Sequence, residues 1–458
     1  MLRGVTWRAM GLIVCETVVI VGAVGLAAYI RLGRLELSWA GDLLPKAVLI
    51  AFVAQLCLYF ADLYDFRVIT DLRELFIRAV QALGATSLIL AGTYFWLPDL
   101  IVGRGVFMLA AVFVIVLVFG WRIAFEWGTH RIGPRERLLL VGTSDAAVRL
   151  AKELYDRRDL GVEIVGFIDP DPARVGEPLI NPGIIGTVED IPAIVRARSV
   201  DQVVVSLSDA RGKLPMDKLL EMKLDGVSFE HLASVYEKYT GKIAVENLRP
   251  SWLIFSPGFK KSRFQQFAKR ALDVFMSLVG LIVAAPIMLA VAAAVRLTSR
   301  GPVVYSQQRV GQHGRVFTVH KFRSMQDDAE KETGAVWARV NDDRITPLGH
   351  FLRRTRLDEL PQLWNVLSGH MSFVGPRPER PEFVSSLTHQ IPFYGQRHTV
   401  RPGLTGWAQV RYTYGASVED AMQKLQFDLF YIKNMSIALD LFIIAKTVKT
   451  VLMQRGAQ

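Results

Sequence analysis

The chain has 458 residues, of which 51% are hydrophobic, and carries a formal net charge of +11. Its mean hydropathy of +0.28 is too high for an ordinary soluble protein. The basic charge favours anionic lipid or phosphate-bearing partners, and no helix-turn-helix, zinc-finger or RNA-binding pattern supports nucleic acid as a partner. Cys15 and Cys57 lie in apolar stretches, which argues against a disulfide scaffold or a zinc site.

Four apolar stretches within residues 1–130 are each long enough to cross a bilayer. The connections between these stretches alternate between the two sides of the membrane. Those on the same side as Arg3 contain nine Lys or Arg residues, and those on the same side as Arg104 contain four. By the positive-inside tendency, we predict a four-helix transmembrane bundle with both ends in the cytoplasm. A cleaved signal peptide is the alternative for the first stretch, but the cleavage sequence is poor and further apolar stretches follow. The four stretches are 10–30, 45–64, 79–97 and 106–127.

Residues 135–257 predict a Rossmann-like cytoplasmic domain with a parallel sheet, because strand patterns alternate with helical spacing. The phosphate-binding turn of a dinucleotide-binding domain reads Gly-x-Gly-x-x-Gly, and here only its first glycine, Gly142, is present. In addition, Asp145 at the helix start would repel a pyrophosphate. Two alternatives therefore stay open, a nucleotide-binding domain and a structural or regulatory one. The strand patterns are 137–142, 161–169 and 200–206, and the helical spacing covers 144–155.

A fifth apolar stretch, Val274–Val295, contains Pro286 and has basic residues on both flanks. The positive-inside tendency places both flanks in the cytoplasm, and a proline eases a bend in a helix. We therefore predict a re-entrant helix over 267–297, kinked at Pro286. The alternative is a complete fifth span, which would place the polar remainder of the chain outside.

The segment 353–362, Arg-Arg-Thr-Arg-Leu-Asp-Glu-Leu-Pro-Gln, combines three arginines with two acids ahead of a proline that favours a helix start. Asp358 would lie at or near this helix start, where it either caps the helix or acts as a nucleophile. A helix N-terminus beside arginines also attracts phosphate and lowers the pKa of a carboxylate. Further on, glycine- and proline-rich turns carrying Arg377, Arg401 and Gln409 suit a rigid pocket for phosphate and base.

Five sequence motifs together resemble those of the bacterial sugar transferases, the monotopic polyprenyl-phosphate glycosyl-1-phosphate transferases. They stand in the family's order across residues 267–458. The earlier membrane stretches and Rossmann-like domain resemble the larger members, which initiate exopolysaccharide, capsule or O-antigen repeats. The motifs are Gln308-Arg-Val-Gly311, Lys321-Phe-Arg-Ser-Met325, Asp358-Glu-Leu-Pro-Gln362, Gly375-Pro-Arg-Pro378 and Pro402-Gly-Leu-Thr-Gly406.

The resemblance implies that residues 258–458 form an α/β catalytic domain with Asp358 as nucleophile. Asp358 would attack the β-phosphate of a UDP-sugar, release UMP and pass the sugar phosphate to undecaprenyl phosphate. Glu359 would hold Mg²⁺, and Asp428 matches a family acid near the site. The residues implied in handling phosphate are Lys321, Arg323, Arg353 and Arg377.

The same resemblance implies a multi-pass protein of the bacterial inner membrane, with the catalytic domain on the cytoplasmic face. Downstream glycosyltransferases are implied as partners, and a homodimer stays open. Two departures from the family, Ala285 before Pro286 and Arg411-Tyr-Thr-Tyr-Gly415 after Ala-Gln-Val, leave the kink and the sugar undetermined.

Two rival functions are a membrane-anchored nucleotide-sugar dehydratase and a non-enzymatic scaffold or sensor. The dehydratase would need a Tyr-x-x-x-Lys pair, and none of the twelve tyrosines has lysine four positions later. The intact acid pair at Asp358 and Glu359 argues against the scaffold.

Overall fold

The computed structural model describes residues 7–32, 43–64, 72–132, 136–156, 161–206, 216–245, 253, 255–326, 329, 343–412, 415 and 417–453. The described residues divide into two compact units, one within residues 3–232 and the other within 233–458.

The first unit opens with four long helices that coincide closely with the first four apolar stretches. Each contains a segment that is long and apolar enough to cross a membrane, and among the described residues one further helix, in the second unit, also qualifies. Their facing side chains form an apolar core that includes Ile20, Leu58 and Val118. The helices are α1 (Trp7–Leu32), α2 (Leu43–Phe60), α3 (Leu72–Trp96) and α4 (Arg104–Ile132).

The Rossmann-like prediction is confirmed in its coarse form, since a five-stranded parallel sheet with order β3-β2-β1-β4-β5 follows the helices. Near-continuous Leu, Ile and Val runs explain why the central strands are buried on both faces. The strands are β1 (Glu136–Val141), β2 (Val162–Ile168), β3 (Ile184–Gly186), β4 (Gln202–Val205) and β5 (Ser228–His231). The intervening helices are α5 (Asp145–Tyr155), α6 (Ile191–Arg198) and α7 (Met216–Leu224).

Polar side chains at the carboxyl ends of β1 and β2 bond to one another. Thr143 donates to Asp169 Oδ2 at 2.5 Å, and Arg174 reaches the same oxygen at 2.7 Å. Ser144 caps α5 by accepting from the Ala147 amide. These groups therefore stabilise the loops that follow the strands.

In its described residues the second unit is mostly helical and contains two small sheets, so this part has less β-sheet than the predicted α/β domain. Antiparallel β6 (Val304–Val310) pairs with β7 (Val316–Phe322), and parallel β8 (Ser372–Val374) pairs with β9 (Gly403–Thr405). The helices are α8 (Leu232–Thr240), α9 (Arg263–Thr298), α10 (Pro347–Thr355), α11 (Gln362–Leu367), α12 (Pro381–Gln390), α13 (Trp407–Arg411), α14 (Val418–Asn434) and α15 (Ile437–Leu452).

Residues 233–245 pack within the second unit, whereas the sequence placed a boundary at 257. The Glu237 carboxylate accepts from Lys433 at 2.5 Å and from Asn434 at 2.9 Å, both at the end of α14. The Ile243 amide donates to the backbone of the same helix at Gln426, and Ile243 lies in the apolar core. This short segment therefore anchors α14.

We expect Glu237→Ala to destabilise the second unit, because Lys433 would remain largely buried without its counter-charge. Breaking such a pair costs roughly 3 kcal/mol. The measurement is the midpoint temperature of thermal unfolding in detergent, followed by intrinsic fluorescence. Glu221→Ala, at an exposed position on α7, is the matched control. Equal midpoints for the two variants would contradict the anchoring role of Glu237.

Candidate active site

The two motif acids lie on a single tight turn between α10 and α11. Arg356 adopts a left-handed backbone with φ of 60°, which ends α10 and starts the 3-10 turn Leu357–Glu359. Asp358 is 6% exposed, and its Oδ1 has no hydrogen-bond partner in the described part of the chain. Asp358 therefore does not cap the following helix, and one carboxylate oxygen is left without a protein partner.

Glu359 is held by cations, of which Lys321 and Arg377 come from distant parts of the chain. Lys321, near the end of β7, donates to Glu359 Oε1 at 3.0 Å, and Arg377 donates to the same oxygen at 2.9 Å. Arg356 lies 3.9 Å from it. All these contacts fall on Oε1 of Glu359.

The two neighbouring acids have opposite pKa shifts. Burial raises the pKa of Asp358, the negative charge of Glu359 adds to this, and Lys321 only partly opposes it. Burial would also raise the pKa of Glu359, but Lys321, Arg377 and Arg356 outweigh it and hold that pKa far below its usual range. The predicted lowering of the Asp358 pKa is wrong, because the cations bond to Glu359 and Asp358 is enclosed.

Arg353 and Arg323 donate hydrogen bonds to serine groups. Arg353 donates through Nε to Ser324 Oγ at 2.9 Å, and its charge lowers the pKa of Asp358. Arg323 donates through Nη2 to the backbone oxygen of Ser299 at 2.9 Å, just after α9 ends. Arg323 thus ties the end of α9 to the end of β7.

Glycines explain why the Gly-Pro-Arg-Pro and Pro-Gly-Leu-Thr-Gly turns lie so close together. A Cβ added at Gly403 would lie 2.1 Å from the Gly375 amide nitrogen, and one added at Gly406 would lie 2.3 Å from the Gly375 oxygen. The Gly375 amide donates to Thr405, and the Gly403 amide donates to Pro376. This close approach places Arg377 beside the acid pair.

The remaining predicted site residues differ in accessibility. Asp428, on α14, is 2% exposed and forms an ion pair with Arg397 at 2.8 Å, and burial raises its pKa to about 6. It is therefore enclosed by protein.

Gln409 has a buried Oε1 without a partner among the described residues, and Arg401 is half-buried. Pro286 lies inside α9, which is helical without interruption.

Three residues near the acid pair were not identified from the sequence: Arg356, Tyr394 and Arg397. Arg356 stands inside the acid motif, so its neighbours offered a signal. Tyr394 and Arg397 stand upstream of a glycine-rich motif, and nothing local indicates that Arg397 reaches back to Arg377.

Comparisons with known proteins match both parts of the chain. Residues 264–454 match the model of the family "Bacterial sugar transferase", and residues 59–220 match that of the family "CoA-binding domain". The N-acetylgalactosaminephosphotransferase of Aeromonas hydrophila, which acts from UDP-N-acetylgalactosamine on undecaprenyl phosphate, is 41% identical over 228 residues. That alignment covers 50% of this chain and 53% of the Aeromonas protein, so it spans about half of each.

Two longer alignments are to proteins named UDP-glucose:undecaprenyl-phosphate glucose-1-phosphate transferase. The one from Xanthomonas campestris pv. campestris is 33% identical over 335 residues, which cover 70% of this chain and 68% of that protein. The one from Escherichia coli K12 is 33% identical over 340 residues, which cover 71% and 70%. These two alignments extend over most of both chains, and the acid pair lies within residues 264–454, which match the family model. The chain therefore belongs to the bacterial sugar transferase family.

Proposed function

We propose that this protein transfers a sugar-1-phosphate from a UDP-sugar to undecaprenyl phosphate and releases UMP. The observation that carries this proposal is the pairing of Asp358, with its unpartnered buried oxygen, with Glu359, held by Lys321 and Arg377. A carboxylate beside several cations suits attack on a diphosphate, whose negative charge the cations offset. The names of the three relatives support the same reaction class.

In the first step, an Asp358 oxygen attacks the β-phosphorus of the UDP-sugar. The bond from this phosphorus to the bridging oxygen breaks, and UMP leaves with that electron pair. The product is a sugar-phosphoryl-aspartate. Lys321 and Arg377 are positioned to stabilise negative charge beside Glu359, and Arg353 adds a third positive charge near Asp358.

In the second step, a phosphate oxygen of undecaprenyl phosphate attacks the same phosphorus. The bond to Asp358 breaks, and the carboxylate is regenerated while the sugar diphospholipid leaves. Both steps form and break one phosphorus–oxygen bond, so no oxidant or reductant is needed. This ping-pong sequence lets the two anionic substrates use one site in turn.

The residues present fit a magnesium ion that is shared with the substrate. No group of three His, Cys, Asp or Glu side chains in the described residues could hold a metal by itself. Mg²⁺ commonly binds one or two carboxylates together with substrate phosphates. Glu359 would supply the carboxylate, beside the phosphates of the substrate. When bound, the ion would neutralise charge on the diphosphate.

For the membrane arrangement, we propose four spans, α1 to α4, and a re-entrant α9 that keeps the catalytic unit on the cytoplasmic face of the inner membrane. Near the start of α9, Arg270 donates to the Val366 oxygen at 2.7 Å. Just beyond its end, Ser299 accepts from Arg323. Contacts at both ends with one globular unit favour both ends on the same side of the membrane.

The same proposal makes this reaction the first membrane step of exopolysaccharide, capsule or O-antigen synthesis, with downstream glycosyltransferases as partners. The decisive assay incubates purified protein with undecaprenyl phosphate, Mg²⁺ and a panel of UDP-glucose, UDP-galactose and their N-acetyl relatives. UMP release with one or more of these sugars is expected. Failure with every sugar, by protein that is folded and inserted in membranes, would contradict the proposal.

We expect kcat/KM to fall at acidic pH, and the midpoint of this acidic limb should lie above the usual aspartate pKa of about 4. Asp358 must be ionised to attack, and its pKa is raised, so activity falls as pH drops through that raised pKa. Glu359→Gln removes the neighbouring negative charge and frees Lys321, so the residual activity should show this limb at lower pH. Glu382→Gln, at an exposed position, is the control. A limb that stays in place in Glu359→Gln would contradict the coupling.

A further inference from the structure

Arg397 is a buried cation that none of the sequence motifs predicted. It is 5% exposed and lies in the 3-10 helix Tyr394–Thr399. Its Nη1 donates to the Tyr394 hydroxyl at 2.6 Å, and its Nη2 donates to the backbone oxygen of Arg377 at 3.0 Å. Nη2 also lies 2.8 Å from Asp428 Oδ2. One guanidinium therefore joins three separate parts of the second unit.

The backbone around Arg377 depends on outside partners because its neighbours provide few. Pro376 and Pro378 have no amide hydrogen to donate. In this turn the Pro376 oxygen accepts from Gly403, the Arg377 oxygen accepts from Arg397, and the Pro378 oxygen accepts from Arg309. Loss of the Arg397 contact would leave the Arg377 carbonyl itself without this partner, so that the Arg377 peptide could turn and move the guanidinium away from Glu359.

Asp428 supplies the counter-charge that keeps Arg397 in place. It is enclosed by protein, and the acid pair is held by cations other than Arg397. Without Asp428, Arg397 would be a buried charge near a second cation, Arg377, and would be repelled by it. Asp428 therefore acts on the site through Arg397 and Arg377.

We propose that Arg397, held by Asp428 and Tyr394, is a positioning residue that fixes Arg377 against Glu359. This inference rests on the proposed transferase function, because Glu359 and Arg377 are assigned there to charge stabilisation. It adds a residue to that site and gives Asp428, which matches a family acid near the site, the role of a positioning acid. Groups outside a catalytic contact that orient its members are commonly worth about 10- to 100-fold in activity.

The test is a double-mutant cycle with Arg397→Gln, Arg377→Gln and the two combined, read as UMP release. We expect Arg397→Gln to lower kcat roughly 10- to 100-fold with a smaller change in the KM for the UDP-sugar. In the Arg377→Gln background, Arg397→Gln should have no further effect, because its target is already absent. Additive losses would overturn the proposal, as would a KM effect that persists without Arg377, since Arg397 would then contact substrate directly.

Two further variants separate positioning from a loss of folding. Tyr394→Phe removes one hydrogen-bond acceptor of Arg397 without changing any charge. We therefore expect it to lower kcat less than Arg397→Gln does. In the Arg377→Gln background, Tyr394→Phe should have no effect on kcat. Arg397→Lys keeps the positive charge that pairs with Asp428, but its single ammonium group cannot contact Tyr394, Arg377 and Asp428 at once. The activity of Arg397→Lys should therefore lie between that of the wild type and that of Arg397→Gln. A Tyr394→Phe loss that persists without Arg377, or Arg397→Lys activity below that of Arg397→Gln, would overturn the proposal.

A second readout does not require turnover. Carbodiimide labelling of Glu359, measured by peptide mass spectrometry, should rise in Arg397→Gln, because a displaced Arg377 no longer covers the Glu359 carboxylate. Labelling should rise no further in the double variant. Unchanged labelling in Arg397→Gln would overturn the positioning role even if the wild-type protein released no UMP. Absence of UMP release with increased labelling would instead contradict the proposed function alone.

Discussion

Asp358→Asn is expected to abolish UMP release, with a loss on the order of 10⁴-fold or more, as for removal of a catalytic nucleophile. The amide has nearly the same shape as the carboxylate, but it cannot form the phosphoryl intermediate. Because the Asp358 Oδ1 has no partner to lose among the described residues, the fold should tolerate the change. The measurement is UMP release from the preferred UDP-sugar in the presence of undecaprenyl phosphate.

Asp225→Asn makes the same chemical change at an exposed position of the first unit and serves as the control. It should retain wild-type activity. Thermal inactivation profiles, intrinsic fluorescence and membrane insertion of the two variants should match. Wild-type-like UMP release from Asp358→Asn would exclude the covalent mechanism.

Cysteines placed at both ends of α9 should react with a membrane-impermeant maleimide only from the cytoplasmic side. Suitable positions are Lys260 and Arg300, which are exposed and flank the helix, in a background without Cys15 and Cys57. At 1.5 Å per residue, the 36-residue helix is long enough to cross a bilayer, so its length does not decide the question. The contacts at its two ends with the catalytic unit predict a common side.

Asp99→Cys, in the exposed connection between α3 and α4, is the control for the opposite face, because the charge distribution predicts that connection to lie outside. It should react from outside in the same preparation. Reaction of Arg300→Cys from outside would make α9 a fifth span and would contradict the proposed re-entrant arrangement.

The sequence predicted the elements whose signals are local. Apolar stretches of suitable length located α1 to α4 and most of α9, and alternating strand and helix patterns located the parallel sheet. The acid pair and Lys321 were identified by short motifs, and in the structure Lys321 Nζ lies 3.0 Å from Glu359 Oε1. These features depend on neighbouring residues and on length, which a sequence displays directly.

Features that depend on tertiary contacts could not be predicted in the same way. The raised pKa of Asp358 follows from burial and from the pairing of the nearby cations with Glu359. Glu237 pairs with Lys433 across 196 positions of sequence, and no local pattern indicates this contact. Arg397 has no local signal, because its importance comes from contacts with Asp428 and the Arg377 backbone.

The covalent intermediate is tested most directly by mixing purified protein with its labelled UDP-sugar and Mg²⁺ in the absence of undecaprenyl phosphate. We predict a burst of about one UMP per active site, together with a sugar-phosphate adduct on the peptide that contains Asp358. Addition of undecaprenyl phosphate should then remove the adduct and yield the lipid-linked sugar. UMP release that begins only after the lipid is added, with no adduct on Asp358, would contradict the covalent mechanism.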